Sequence, residues 1–321
     1  MTFPHEDRDF ADLVAVVARR RGLAPALVEK DYWVTHVLWG LQQQGLDVWF
    51  KGGTSLSKGF RLIERFSEDL DLKIEPGALA ALPAVRNWKS EGKKAVQERQ
   101  EYFTALQRLL EFPGAKVSAD PIFEDPTHRS TQLRVLYPGA HLAGLGVLRP
   151  FVLLEVGDAR VTPFVRRDMT SFIHEELLAQ GQVDAFDDNR PKAVRCVHPL
   201  VTLIEKLDAL RRRVPRGEVD PAAFVRHFED AAHIVAGEGT LPALDGYASP
   251  RALAEEMLGQ RQVSAIPAAT DIAFNPDQGP RFASIREAHQ AIAPMFWGPR
   301  ISIDAACASI RTWVEQRLGA A

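Results

Sequence analysis

Asp69 and Asp71 stand one residue apart in the run "DLDLKI" of this 321-residue chain, and a glycine pair, Gly52-Gly53, stands just upstream. Alternate residues of a β-strand share a face, so the two carboxylates project to one side while Leu70 and Leu72 project to the other. Carboxylates so placed are hard oxygen donors able to share divalent cations such as Mg²⁺. The glycines in "FKGGTSLSKGF" strip side chains from the backbone ahead of Thr54 and Ser55. Backbone N–H groups there, with a helix N-terminus at Thr54-Ser55, are donors of the kind that receive phosphate oxygens. These are the parts of metal-assisted phosphoryl or nucleotidyl transfer, in which an acceptor hydroxyl attacks in line and no covalent enzyme intermediate is needed. Taken singly, a glycine pair after a strand is a tight turn, and two aspartates are a cap plus a solvated charge. The combined order of strand, glycine pair, Thr/Ser, helix, Asp-x-Asp and strand is much more specific.

Other side chains could join that chemistry. Glu155 in "FVLLEV" shares a strand face with Phe151 and Leu153. An acid on an otherwise apolar face lies at a sheet end or at a site, which makes Glu155 a candidate third metal ligand. Ser67 precedes the aspartates, and its hydroxyl caps the turn or contacts a phosphate. Arg86, Lys89, Lys93, Lys94 and Arg99, with Arg211, Arg212 and Arg213, are ordinarily solvated helix faces. They are also the local patches that a nucleic-acid acceptor would need. Trp88, Tyr102 and Phe103 stack on bases or, more commonly, pack in a core. The histidines are scattered without paired spacing, which argues against zinc.

The elements that must position these residues follow from periodicity. Helices are expected over residues 10–22, with Phe10, Leu13, Val14 and Val17 apolar, and from Pro25, with Leu27, Val34, Leu38 and Leu41 on one side. "DVWF" is a short strand, residues 54–65 a helix with Leu56, Phe60 and Ile63 inward, and "DLDLKI" a strand. Residues 86–111 are expected to be helical, followed by strands at "TQLRVLY" and "FVLLEV". That order predicts an α+β core around a small mixed sheet. Beyond the turn-rich "DAFDDNRPKA" the pattern is helical, with an apolar stripe at Leu200, Leu203, Ile204, Leu207 and Leu210. Asp220-Pro221 opens another helix, and a last one runs from Ile303 to Leu318. Two domains are therefore expected, residues 1–190 and 191–321. The net charge of -3 sets no global call for a polyanion. Cys196 and Cys307 make no disulfide framework, the acidic start is unlike a signal peptide, and no apolar run of about 18 residues occurs. The expectation is a cytoplasmic protein without membrane association.

The run "KGGTSLSKGFRLIERFSEDLDL" resembles the first motif of the AbiEii/AbiGii toxin family of nucleotidyltransferases, within the DNA polymerase β-like superfamily. "VEKDYWVTHVL" is similar to that family's N-terminal helix. "WKSEGKKAVQERQEYF", "FVLLEVGDAR", "LIEKLDALRRR" and "RHFEDAAHI" follow in the same order, so the likeness spans about residues 25 to 235. The 15-residue spacer between the glycines and the aspartates suits the large toxin branch. The resemblance implies a polymerase-β-like core followed by a helical domain. It implies that Gly52, Gly53 and Thr54, flanked by Ser55, hold the nucleotide phosphates and that Asp69 and Asp71 bind Mg²⁺. Lys206 would contact the triphosphate and Asp230 would be the late acidic residue, although an edge lysine and a flank aspartate ordinarily face water. The family reading is the toxin of a bacterial toxin–antitoxin or phage-defence pair. Such a toxin moves NMP from an NTP to an acceptor, thought to be the 3′ end of tRNA, and a cognate antitoxin goes with it. Transfer to a protein or small molecule, and an NTP-binding regulatory module without turnover, are the alternatives.

Overall fold

The structure, a computed structural model, describes residues 2–67, 69–141, 149–216 and 220–319. The chain forms two compact units that interleave in sequence. The first comprises Met1–Gly59, Glu68–Val161 and Arg166–Cys196, and the second comprises Phe60–Ser67, Thr162–Val165 and Val197–Ala321. The expected division at residues 190 and 191 lies just ahead of the last strand of the sheet.

Two helices, α1 (Phe10–Arg21) and α2 (Pro25–Gln43), open the first unit. β1 (Val48–Lys51) then runs into a helical turn, α3 (Gly52–Thr54), which continues in π form from Ser55 to Gly59. β2 (Asp69–Ile74), α4 (Lys93–Leu109), β3 (Lys116–Ala119), β4 (Ser130–Leu136) and β5 (Val152–Gly157) follow. β6 (Phe164–Arg167), α5 (Phe172–Ala179) and β7 (Val194–Val197) complete a mixed sheet of seven strands in the order β3-β4-β5-β2-β1-β7-β6. β2 is antiparallel to β1 and parallel to β5. Its burial alternates as the sequence pattern requires: Leu70, Leu72 and Ile74 are buried and Asp69, Asp71 and Lys73 are half-buried. Phe50, Leu133, Val135, Leu154 and Val156, all within 1% of complete burial, extend that apolar side across the neighbouring strands.

Three expectations change. α2 is not one-sided, since every residue from Ala26 to Leu38 is buried. Its buried charges all serve as ties: Glu29 accepts the N–H groups of Ala140 and His141, Lys30 donates to the Arg149 carbonyl, and Asp31 pairs with Lys58. The helix expected over 54–65 stops at Gly59. A Cβ there would lie 3.1 Å from Cys196 Sγ and 3.3 Å from Met169 Cε, and Arg61 is left-handed at φ 54°. The helix expected over 86–111 is confined to α4, because the carbonyls of Asn87, Trp88 and Ser90 turn inward to the guanidinium of Arg99. A carbonyl so engaged cannot serve a helical ladder. β3, β6, β7 and α5 were not anticipated.

In the second unit, α6 (Pro199–Arg213) buries Leu200, Leu203, Ile204, Leu207 and Leu210 and packs against α7 (Arg226–Ala236). The helix expected from Asp220 is split: Asp220 caps a short 3₁₀ turn at Pro221–Ala223, and α7 begins after it. α8 (Pro250–Gly259), α9 (Pro280–Ala291) and α10 (Ile303–Arg317) follow. α10 lays Ile303, Cys307, Ile310 and Val314 into the core, with Ser302 as its N-cap. Full burial of one such aliphatic side chain contributes about 1.5–3 kcal/mol. Segment 60–67 threads into this unit: Phe66 N–H donates to Met295 O at 2.7 Å and Trp297 N–H to Glu64 O at 3.0 Å.

Candidate active site

Strand register brings the acidic residues together. Asp71 pairs with Glu155 across the parallel β2–β5 ladder, and Gln132 pairs with Glu155 across β4–β5. Register partners share a face, so Asp69, Asp71, Glu155 and Gln132 all lie on the polar side of the sheet. Gln132 Nε2 donates to Glu155 Oε1 at 2.5 Å. Burial, followed by the charges of Asp71 and Asp69, pushes the Glu155 carboxyl up to about 7. Arg149 Nη1 stands 3.4 Å from Asp69 Oδ1. Its backbone carbonyl is fixed by buried Lys30 at 2.7 Å. Arg149 and Gln132 carried no sequence signal, since neither falls within the motif that surrounds the aspartates.

Gly52 has a use beyond an open turn. Its φ is +75°, a conformation costly to residues with a Cβ. A Cβ built on it would come within 1.6 Å of Asp71 Oδ2. The missing side chain is therefore the space that the Asp71 carboxylate occupies. The hydroxyls of Thr54 and Ser55 turn inward. Thr54 Oγ1 donates to the Asp69 carbonyl at 2.7 Å, tying α3 to the start of β2. Ser55 is 2% exposed and faces Cys196. At these two positions only the backbone is left to meet phosphate oxygens. Gly53 is buried in α3, and Ser67 is buried in the segment 60–67 of the second unit.

The first unit's carboxylates can be compared with what Mg²⁺ requires. Among the described residues no ready-made group of three or more His, Cys, Asp or Glu side chains forms a metal cage. The donor chemistry of Asp71 and Glu155 fits a hard cation, whose charge would oppose the burial and the repulsion from Asp71 and Asp69 that keep Glu155 protonated up to about neutrality. Asp69 would join them only by giving up Arg149.

Lys206 and Asp230 meet in the second unit, and neither faces open water. Lys206 Nζ is 2.9 Å from Asp230 Oδ2. Arg65 grips the same carboxylate with two hydrogen bonds of 2.7 Å. Burial alone would raise the Asp230 carboxyl, but Arg65 and then Lys206 outweigh it and hold it well below the carboxylate range. Burial lowers Lys206, against the pull of Asp230. His227 is kept neutral by burial and by Lys206, so its Nδ1 accepts from Lys206 Nζ at 3.2 Å. Asp230 is thus a buried anchor for two cations. The sequence placed it on a solvated flank because Arg65 lies 165 residues away in the chain.

The basic patches are smaller than the sequence suggested. Arg99 is fully buried, and its guanidinium also donates to Thr127 O at 2.9 and 2.7 Å. Arg211 and Arg212 both bind Asp208, at 3.1 and 2.9 Å. Trp88 packs edge-on to Tyr102, whose hydroxyl donates to Ile74 O at 2.7 Å, which makes this aromatic group core.

A family model described as nucleotidyl transferase AbiEii toxin, Type IV TA system, matches residues 37–308. No curated protein matches the chain. No helix among the described residues is long and apolar enough to cross a membrane.

Proposed function

The chain belongs to the AbiEii family of Type IV toxin–antitoxin nucleotidyl transferases, and on that premise we propose that it transfers NMP from an NTP to the 3′ end of an RNA acceptor, tRNA in the first instance. An antitoxin and a nucleotide substrate go with the family. The observation that carries the proposal is the convergence of Asp71 and Glu155, with Asp69 beside them, on the polar face of β2 and β5 next to the side-chain-free Gly52. In the reaction the acceptor hydroxyl oxygen bonds to the α-phosphorus and releases its proton to solvent, the bond from that phosphorus to the β-phosphate bridging oxygen breaks, and pyrophosphate departs. Asp71 and Glu155, joined by Asp69 on release of Arg149, would hold Mg²⁺, which neutralises triphosphate oxygens when bound. Backbone at Gly52, Gly53 and Thr54 would serve the phosphates, and the family likeness assigns a phosphate contact to Lys206, which Asp230 orients within the second unit.

Incubation with each labelled NTP and total cellular RNA, with and without EDTA, tests this reading. A labelled RNA with one added 3′ nucleotide is expected, lost with EDTA and with Asp71→Asn. Label confined to the protein fraction would move the acceptor to a protein. Nucleotide binding without pyrophosphate release would replace the transferase reading with a regulatory one.

A further inference from the structure

Lys206 does not stand alone on the second unit. Arg213 follows it by seven residues on α6, two helical turns, which returns it to the same face. Arg226 precedes Asp230 by one turn of α7, again on the same face, and the adjacent His227 accepts from Lys206. α6 and α7 pack together. Around this junction Lys206 and Arg65 are matched by Asp230. Among the described residues no carboxylate pairs with Arg213 or Arg226, although both are half-buried. Arg213 is drawn below its ordinary value by burial and then by Arg212 and Arg226, with no acid among the causes.

Helix electrostatics account for only one of these arginines. Arg213 lies in the last turn of α6, where a cation is favoured by the helix dipole. Arg226 lies in the first turn of α7, the end that favours anions. A guanidinium stays charged at any accessible pH, so among the described residues the junction holds neighbouring like charges with no carboxylate to match them. We propose that Arg213 and Arg226, with Lys206, form a phosphate-binding site on the second unit. Two planar forks beside an ammonium suit the tetrahedral oxygens of a phosphate or polyphosphate. The ligand's identity rests on the nucleotidyl-transfer reading and has two sources, the polyphosphate of a nucleotide and the backbone of an acceptor RNA.

The test uses the full chain in its wild-type, Arg213→Gln, Arg226→Gln and Arg226→Lys forms, with Arg8→Gln as a surface control. Inorganic pyrophosphate is titrated calorimetrically without metal at constant ionic strength, and unmodified tRNA is titrated by filter binding. Each glutamine variant is expected to weaken binding at least tenfold, about 1.4 kcal/mol, with Arg226→Lys in between and Arg8→Gln unchanged. The ligand-free melting temperature should hold or rise, because a repulsion has been removed. Loss in the pyrophosphate arm assigns the site to polyphosphate, and loss confined to the tRNA arm assigns it to RNA backbone. Wild-type affinity of both glutamine variants in both arms overturns the proposal. A chain that binds pyrophosphate through these arginines yet transfers no nucleotide would keep the site and sink the transferase reading. Transfer with unaltered binding would do the opposite.

Discussion

Gly52→Ala separates the two things that Gly52 does. The substitution forces a residue with a Cβ to φ +75°, which costs about 1–2 kcal/mol. It also puts that Cβ 1.6 Å from Asp71 Oδ2 and 2.6 Å from its Cγ. Relief requires the carboxylate to leave its rotamer, at about 0.5–1.5 kcal/mol. The sum, about 1.5–3.5 kcal/mol, would be read as a lower urea midpoint by tryptophan fluorescence. Repeating the substitution in an Asp71→Ala background removes the colliding oxygen and leaves the backbone strain. The cost of Gly52→Ala should then fall by the rotamer part, a coupling of about 0.5–1.5 kcal/mol in the double-mutant cycle. Nucleotidyl transfer by Gly52→Ala alone should drop at least tenfold, because Asp71 has been displaced. Equal cost in both backgrounds, or full activity of the single variant, would refute the idea that the glycine makes room for the carboxylate.

Asp71→Asn should raise the metal-free melting temperature by removing a like charge beside Glu155, and should abolish the further rise that Mg²⁺ gives the wild type; an unchanged Mg²⁺ response would dismiss the carboxylates as its site. Asp230→Ala strands buried Arg65 and Lys206 and should cost about 3–5 kcal/mol, whereas Arg65→Met with Asp230→Met and Lys206→Met should recover much of that; wild-type urea stability of Asp230→Ala would show that the cluster is not desolvated. His5, His36 and His174 are each depressed to about 4 by burial and are linked through Tyr32 and Asn189. Because the unfolded chain takes protons first, each histidine should cost up to about 1.4 kcal/mol per pH unit as pH falls from 6.5 toward 4, while the raised Glu155 carboxyl offsets one of the three by gaining stability as pH falls from about 7. A flat denaturation midpoint between pH 7 and 4.5 would contradict their neutral burial.

Elements whose burial repeats with a single period were legible in the sequence. β2 alternates and α10 carries one apolar stripe, and both formed where expected; α6 also formed where its leucine stripe predicted, although every residue from Pro199 to Leu210 except Glu205 is buried. α2 was legible as a helix but not in its role, because a helix buried on every side has no polar face to betray its orientation. Its Glu-Lys-Asp run looks like surface until Ala140, Arg149 and Phe172 supply partners more than 100 residues away. Segment 60–67 misled for a related reason. Leu56 and Ile63 do share a helical period and are both buried, but in different units, so a spacing compatible with one helix served two cores.

The candidate site divides along the same line. The glycines, Asp69 and Asp71 are close in sequence and bound to local geometry, so spacing alone drew them together; Glu155 was legible as an acid on an apolar strand. Lys206 and Asp230 came from family likeness, and their mutual contact was invisible to periodicity. The structure adds Arg65, and with it a reassignment. A carboxylate held by an arginine fork and an ammonium, fully buried and kept ionised by both, has no lone pair turned to solvent for a substrate to meet. Asp230 therefore acts through Lys206, fixing where the ammonium points, and Arg65 fixes Asp230. The positive charge available to a phosphate at this junction belongs to the cations that surround the anchor, which is why the unmatched arginines beside Lys206 weigh more than the acid that sequence reasoning had singled out.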